Sequence, residues 1–164
     1  MAESTDLVLE RILDAPRELV WRAMTLPEHT KKWWAPRPYQ TVECEIDLRP
    51  GGVFYTRMVG PDDFDSPVNG CILEAVDREK LVWTTALTAG YRPAGEAPQG
   101  CGALIFTAVV TLEDAPGGKT RYRVVAKHKD VADSTAHAAM GFHDGWGTCA
   151  TQLGEVAAGL AQPA

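Results

Sequence analysis

The stretch "WGTCATQLGEVAAGL", Trp146 to Leu160, decides the fold. Trp146, Ala150, Leu153, Ala157 and Leu160 stand at offsets of 0, 4, 7, 11 and 14. That spacing follows the 3.6-residue turn and lines five apolar side chains along one side of a helix. A helix of this kind needs an apolar surface to lie on.

The helical pattern extends upstream to Val131, but "HAAMGFHDGWG", His137 to Gly147, interrupts it with three glycines. Glycine weakens a helix interior by roughly 1 kcal/mol relative to alanine. Two arrangements follow. In one, a short helix over Val131–Met140 ends at Gly141 and the main helix begins near His143. Gly145 and Gly147 then let the backbone pass close to a neighbouring element. In the other the helix is continuous, and His143 joins the inward stripe three residues before Trp146. His137, Met140, Gly141 and Asp144 then form a neighbouring stripe.

The surface for that helix comes from the middle of the chain, where apolar residues alternate with a period of two. "LVLERIL" (Leu7–Leu13) predicts a first strand with Leu7, Leu9, Arg11 and Leu13 on one face. Two short helices follow: "DAPRELVWRAM", with Asp14 as cap and Pro16 in its first turn, then Pro27 to about Trp33. Strands are expected over Gln40–Leu48 and Val53–Val59, with "GPDDFDSPVNG" (Gly60–Gly70) as a turn-rich loop. "CILEAVD" and "KLVWTTAL" form a hairpin about Asp77–Lys80. After an irregular segment, Thr88–Gly102, "ALIFTAVVTLED" and "KTRYRVVAKH" form a last hairpin over "APGG". In its second strand Tyr122, Val124, Ala126 and His128 share one face, and Arg121, Arg123 and Lys127 the other.

The 164 residues suit one α+β domain spanning 1–164, with an ordered core over about 6–161. The composition is ordinary: 45% hydrophobic and 23% charged. A formal charge of −6 argues against nucleic acid or an anionic membrane as the partner. No apolar run is long enough to span a bilayer, and "MAESTDLVLERI" lacks the regions of a signal peptide, so a cytoplasmic location is expected. Cys44, Cys71, Cys101 and Cys149 are widely spaced, which fits reduced, partly buried thiols. No GxSxG, P-loop, GxGxxG or HExxH is present, and no His, Cys and Asp set has metal-ligand spacing. No cofactor and no metal are expected.

Several stretches are similar to those of one superfamily: "APRELVWRAMTLPEHTKKWW", "RPGGVFYTRMVGPD", "GCILEAVDREKLVWTTAL" and "MGFHDGWGTCATQL". They resemble the helix-grip superfamily called SRPBCC or START-like, and within it the branch of activator of heat-shock protein 90 ATPase homologues. The likeness runs from about Leu7 to Leu160. It implies a curved antiparallel sheet of about six to seven strands around a long C-terminal helix, with two short helices after the first strand. It also implies a cavity for a hydrophobic small molecule. Some relatives are cyclases or hydrolases, and co-chaperones sharing the domain usually carry a further N-terminal domain, for which this chain is too short.

Candidate site residues follow from the aromatic content and the interrupted helix. Trp33, Phe54 and Phe106 suit core packing, while Trp34 and Tyr39, beside prolines, suit a pocket rim. Tyr91 sits in the irregular segment, either a lid or a surface loop. The set expected to line a ligand pocket is Trp34, Tyr39, Phe54, Met58, Trp83, Tyr91, Phe106, Met140, His143 and Trp146.

Three functions compete: a binder of a hydrophobic or aromatic small molecule, a polyketide cyclase-like or hydrolase-like enzyme, and a protein-interaction module or homodimer. In the enzyme, His143 or His137 would be the general acid or base and Asp144 its orienter. His128 suits a satisfied strand-end histidine. Arg11 needs a carboxylate, such as Glu45, Asp47 or Glu74, a ligand anion, or a route for its head to solvent.

Overall fold

The computed structural model describes residues 4–95 and 104–161. The chain begins with β1 (Asp6–Leu13), α1 (Arg17–Thr25) and α2 (Pro27–Thr30). Strands β2 (Gln40–Ile46), β3 (Val53–Gly60), β4 (Phe64–Val76) and β5 (Lys80–Thr84) follow. Two short strands, β6 (Leu87–Thr88) and β7 (Arg92–Pro93), pair with each other. Then come β8 (Thr107–Ala115), β9 (Lys119–Lys127), α3 (Val131–Ala139) and α4 (Phe142–Leu160). The main sheet is antiparallel in the order β1-β9-β8-β5-β4-β3-β2. This is the α+β arrangement of sheet and final helix that the strand and helix patterns predict, and the helix-grip fold that the resemblance implies.

Helix α4 lies on one face of that sheet. Ala150, Leu153 and Ala157 are buried in one cluster with Leu9, Leu13, Val110, Leu112, Tyr122 and Val124, and Trp146 and Leu160 are packed against it. On its flank α4 approaches β1 through glycines. A Cβ on Gly147 would stand 3.0 Å from Arg11 Nη2, and one on Gly154 would stand 3.4 Å from Leu13 Cδ2. The arrangement with two helices is the one adopted. α3 stops at Ala139, Gly141 takes φ 93°, and α4 starts at Phe142. A positive φ of this size favours glycine, so Gly141 sets the corner.

Four local expectations are corrected. Gly60–Gly70 is not a loop: Gly60 pairs with Phe64, and Phe64–Gly70 forms the first half of β4. Pro67 is tolerated there because β5 pairs only with Cys71–Val76, leaving one edge of this half free of the main-sheet ladder. Asp14 does not cap α1, whose N-cap is Pro16 with no side-chain bond. The second helix ends at Thr30, where the Thr30 hydroxyl donates to the carbonyls of Met24 and Leu26 at 3.0 Å. Strand β2 ends at Ile46, two residues short of Leu48.

Arg11 lies on the inner side of β1, yet its side chain is exposed and donates to its neighbour's carbonyl, Glu10 O, at 2.9 Å. Its head runs over Gly147 to solvent. Of the carboxylates considered for it, Asp47 pairs with Arg49 and Glu74 with Lys80.

Gln152 had no role in the sequence pattern. It is buried on α4, and its amide donates to Trp33 O (3.1 Å) and Ala35 O (2.8 Å). Its carbonyl oxygen accepts from Arg37 Nε at 2.8 Å and from the Arg37 backbone N–H at 3.3 Å. One side chain thus fixes the loop from Trp33 to Arg37 onto the helix. Gln152→Leu strands several of these groups in the interior. It is expected to lower stability by about 2–4 kcal/mol, measured by urea unfolding. A loss under about 0.5 kcal/mol would show that the loop is held by other contacts.

Candidate functional site

Between the sheet and α4 the side chains do not meet everywhere. A cavity of about 310 Å³ remains, with a mostly apolar lining. Interiors normally leave few voids larger than a water molecule. A space of this size therefore needs a reason in the arrangement of its walls.

Aromatic rings make those walls. From the sheet come Phe54 and Trp83, from the loop after α2 Trp34, and from the position just before β8 Phe106. Phe54 stacks on Trp83 with centroids 4.5 Å apart and planes 15° apart. Trp34 meets Phe54 at 5.3 Å and Trp83 at 5.7 Å, and Trp83 meets Phe106 edge-on at 5.4 Å. From the helices come His137, Phe142 and Trp146, with Phe142 and Trp146 4.6 Å apart. The two groups join at Phe106, whose ring is 5.0 Å from His137 and 5.7 Å from Trp146. Stacked, tilted and edge-on contacts of this kind tie the rings into one continuous wall.

The α3–α4 corner also contributes. Gly145 lines the cavity, and a Cβ there would meet nothing within 4 Å. Met140, half-exposed, lies beside it, and Tyr39 packs edge-on against Phe64 at 5.1 Å.

Of the residues expected from sequence, the cavity brings together Trp34, Tyr39, Phe54, Met58, Trp83, Phe106, Met140 and Trp146, together with His137. Tyr91 and His143 are not among them. Tyr91 takes φ 60°, is half-exposed, and lays its ring against Gly51 on the β2–β3 turn. The lid reading of Thr88–Gly102 extends into residues 96–102, which lie outside the described residues, as does Cys101. His143 follows Phe142 by one residue, about 100° around the helix. Phe142 and Leu153 mark the buried centre, so His143 and, further round, Asp144 are exposed. Among the described residues no hydrogen bond joins these two, so an orienting pair is not formed.

Residues that sequence reasoning missed also line the cavity: Thr56, Phe64, Ser66, Val68, Tyr122, Phe142 and Cys149 among them. Phe64, Ser66 and Val68 are alternate residues of β4, a signal hidden by taking that stretch as a loop. Ser66 Oγ is buried with no hydrogen-bond partner among the described residues. Burial pushes the Cys149 thiol up to about 12, and its Sγ lies 3.4 Å from Trp34 O. Burial thus favours the thiol over the nucleophilic thiolate. Among the described residues there is no cluster fit for a metal ion.

His128 is also joined to the site. Its Nδ1 lies 2.9 Å from Thr5 O, and its Nε2 lies 2.8 Å from His137 Nδ1. Both rings are buried. Burial, helped by the nearby His128, lowers the His137 pKa from 6.5 to about 4. The unfolded chain therefore takes this proton first as pH falls. The contribution to stability is whole above about pH 6.5 and is lost on the way down to about 4. The expected loss between pH 7 and pH 4 is on the order of 3 kcal/mol. Urea midpoints of the wild type and His137→Gln across this range check it. The variant should be less sensitive to pH, and equal slopes would contradict it.

The family model described as "Activator of Hsp90 ATPase homolog 1-like protein" matches residues 14–158. A crystal structure of a Nitrosomonas europaea protein is 44% identical, with a TM-score of 0.87, covering 94% of this chain and 95% of that one. A Rhodobacter sphaeroides protein shares the fold at 18% identity and TM-score 0.80, with 99% of both chains covered. A Staphylococcus epidermidis protein does so at 16% identity and TM-score 0.76, covering 100% of this chain and 96% of that one. No functionally curated protein matches. No helix among the described residues is long and apolar enough to cross a membrane.

Proposed function

The chain belongs to the activator of Hsp90 ATPase homolog 1-like family, and from that membership and the shape of its interior we propose that it binds a hydrophobic, aromatic small molecule between the sheet and α4. The observation that carries the reading is the cavity of about 310 Å³, walled by rings that brace each other and leave the middle open. Keeping such a space forfeits dispersion contacts that a filled core would have. An apolar ligand restores them, and aromatic walls suit a planar one. The volume lies at the low end for small-molecule clefts, which favours two or three fused rings over a long acyl chain.

Four of the five tryptophans, Trp33, Trp34, Trp83 and Trp146, line the space, so binding should alter tryptophan emission. Titration with naphthalene and 2-naphthol, followed by fluorescence and calorimetry, is expected to show saturable one-to-one binding. Absence of heat and of any emission change up to the solubility limit would contradict the reading.

A further inference from the structure

The polar atoms of the cavity narrow the ligand further, on the basis of the binding reading above. Thr5 O can only accept a hydrogen bond, so His128 Nδ1, 2.9 Å away, carries a proton. In a neutral ring Nε2 of His128 is then the acceptor. It lies 2.8 Å from His137 Nδ1, which must supply the proton. The second nitrogen of His137, Nε2, is left with a free lone pair. Its ring lines the cavity between Phe106 and Trp146, and among the described residues no donor reaches that nitrogen. Burial favours the neutral form of His137.

An independent observation lies on β4. Ser66 is 2% exposed, its hydroxyl has no partner among the described residues, and it lines the same cavity. A buried hydroxyl left alone is costly, so this wall, like the His137 face, is not made for hydrocarbon packing alone.

We infer that the cavity selects an aromatic ligand carrying a hydrogen-bond donor, a phenol or an N–H heterocycle, which donates to His137 Nε2. His128 acts as a positioning residue. It fixes the tautomer of His137 from behind, through a bond the ligand does not touch.

The test starts with the unmodified protein. Long-range nitrogen–proton NMR is expected to find His137 Nε2 unprotonated and Nδ1 protonated. Calorimetry with 2-naphthol, 2-methoxynaphthalene and naphthalene is expected to show the naphthol bound at least about tenfold more tightly than its methyl ether. In His137→Phe that preference should fall to within about twofold.

His128→Gln should keep the tautomer of His137 and the preference, since its amide donates to Thr5 O and its carbonyl accepts from His137 Nδ1. His128→Phe should mix the tautomers and weaken the preference. A protonated Nε2 in the free protein, or equal affinity for naphthol and ether in the wild type, overturns the inference; neither needs a variant that folds. If naphthalene binds and no preference exists, this inference alone fails. If none of the three compounds binds, the binding reading fails with it.

Discussion

Trp83→Ala is expected to lower the free energy of unfolding by about 3–5 kcal/mol. Trp83 is 3% exposed on β5, in the middle of the sheet. Its ring stacks on Phe54 and touches Trp34 and Phe106, so three aromatic contacts end on one side chain. Removing it leaves a space continuous with the existing cavity, and the braced wall loses its central support. Domains of this size have about 5–15 kcal/mol in hand, so the loss removes a large share of the total. Trp83→Phe keeps a ring in place and is expected to lose less, about 1–2 kcal/mol. Urea unfolding of both variants gives the comparison. A loss below about 1 kcal/mol for alanine would mean that the ring wall is not a structural unit.

Gly145→Leu is expected to abolish aromatic binding while leaving the fold as stable as before, or more so. Gly145 sits in the first turns of α4 and lines the cavity, with open space where a side chain would go. Leucine there fills that space from the helix side. Exchanging glycine for a good helix former favours the helix by up to about 1 kcal/mol, so a loss of binding could not be blamed on unfolding. The affinity for 2-naphthol should drop by at least about tenfold, equivalent to about 1.4 kcal/mol. Gly159→Leu is the control. It lies on an exposed position of the same helix, has nothing within 4 Å of its Cβ, and does not line the cavity. It should bind as the wild type does. Unchanged affinity in Gly145→Leu would remove this cavity as the binding place.

Where the sequence carried a strong period, it located the structure. The stripe through Ala150, Leu153 and Ala157 identified the helix over the sheet, and β8 and β9 followed from alternation about a Pro-Gly-Gly turn. The first half of β4 was hidden because Pro67 and the Asp-rich turn before it carry loop signals. Whether a proline is tolerated depends on which edge of a strand lies unpaired, and that is settled only when the strands are assembled.

The site was less legible than the fold. Rings such as Trp34, Trp83 and Trp146 could be nominated from size and position alone. His143 could not be told from its neighbours: one residue along a helix is a turn of about 100°, enough to move a side chain from cavity to solvent. The pairing of His128 with His137 joins the end of β9 to α3, and nothing in the local pattern of either segment announces it. Ser66 was lost with the strand that carries it. Gln152, a polar residue flanking an apolar stripe, gave no local sign that it holds the Trp33–Arg37 loop.

The most direct test is where an aromatic guest sits. Intermolecular nuclear Overhauser effects should be recorded between bound 2-naphthol and the protein's side chains. Contacts to Trp83, Phe106 and Trp146 together, from the sheet and from α4 at once, are the predicted result. Contacts confined to outward groups such as Tyr91 or His143, or none at all, would contradict it.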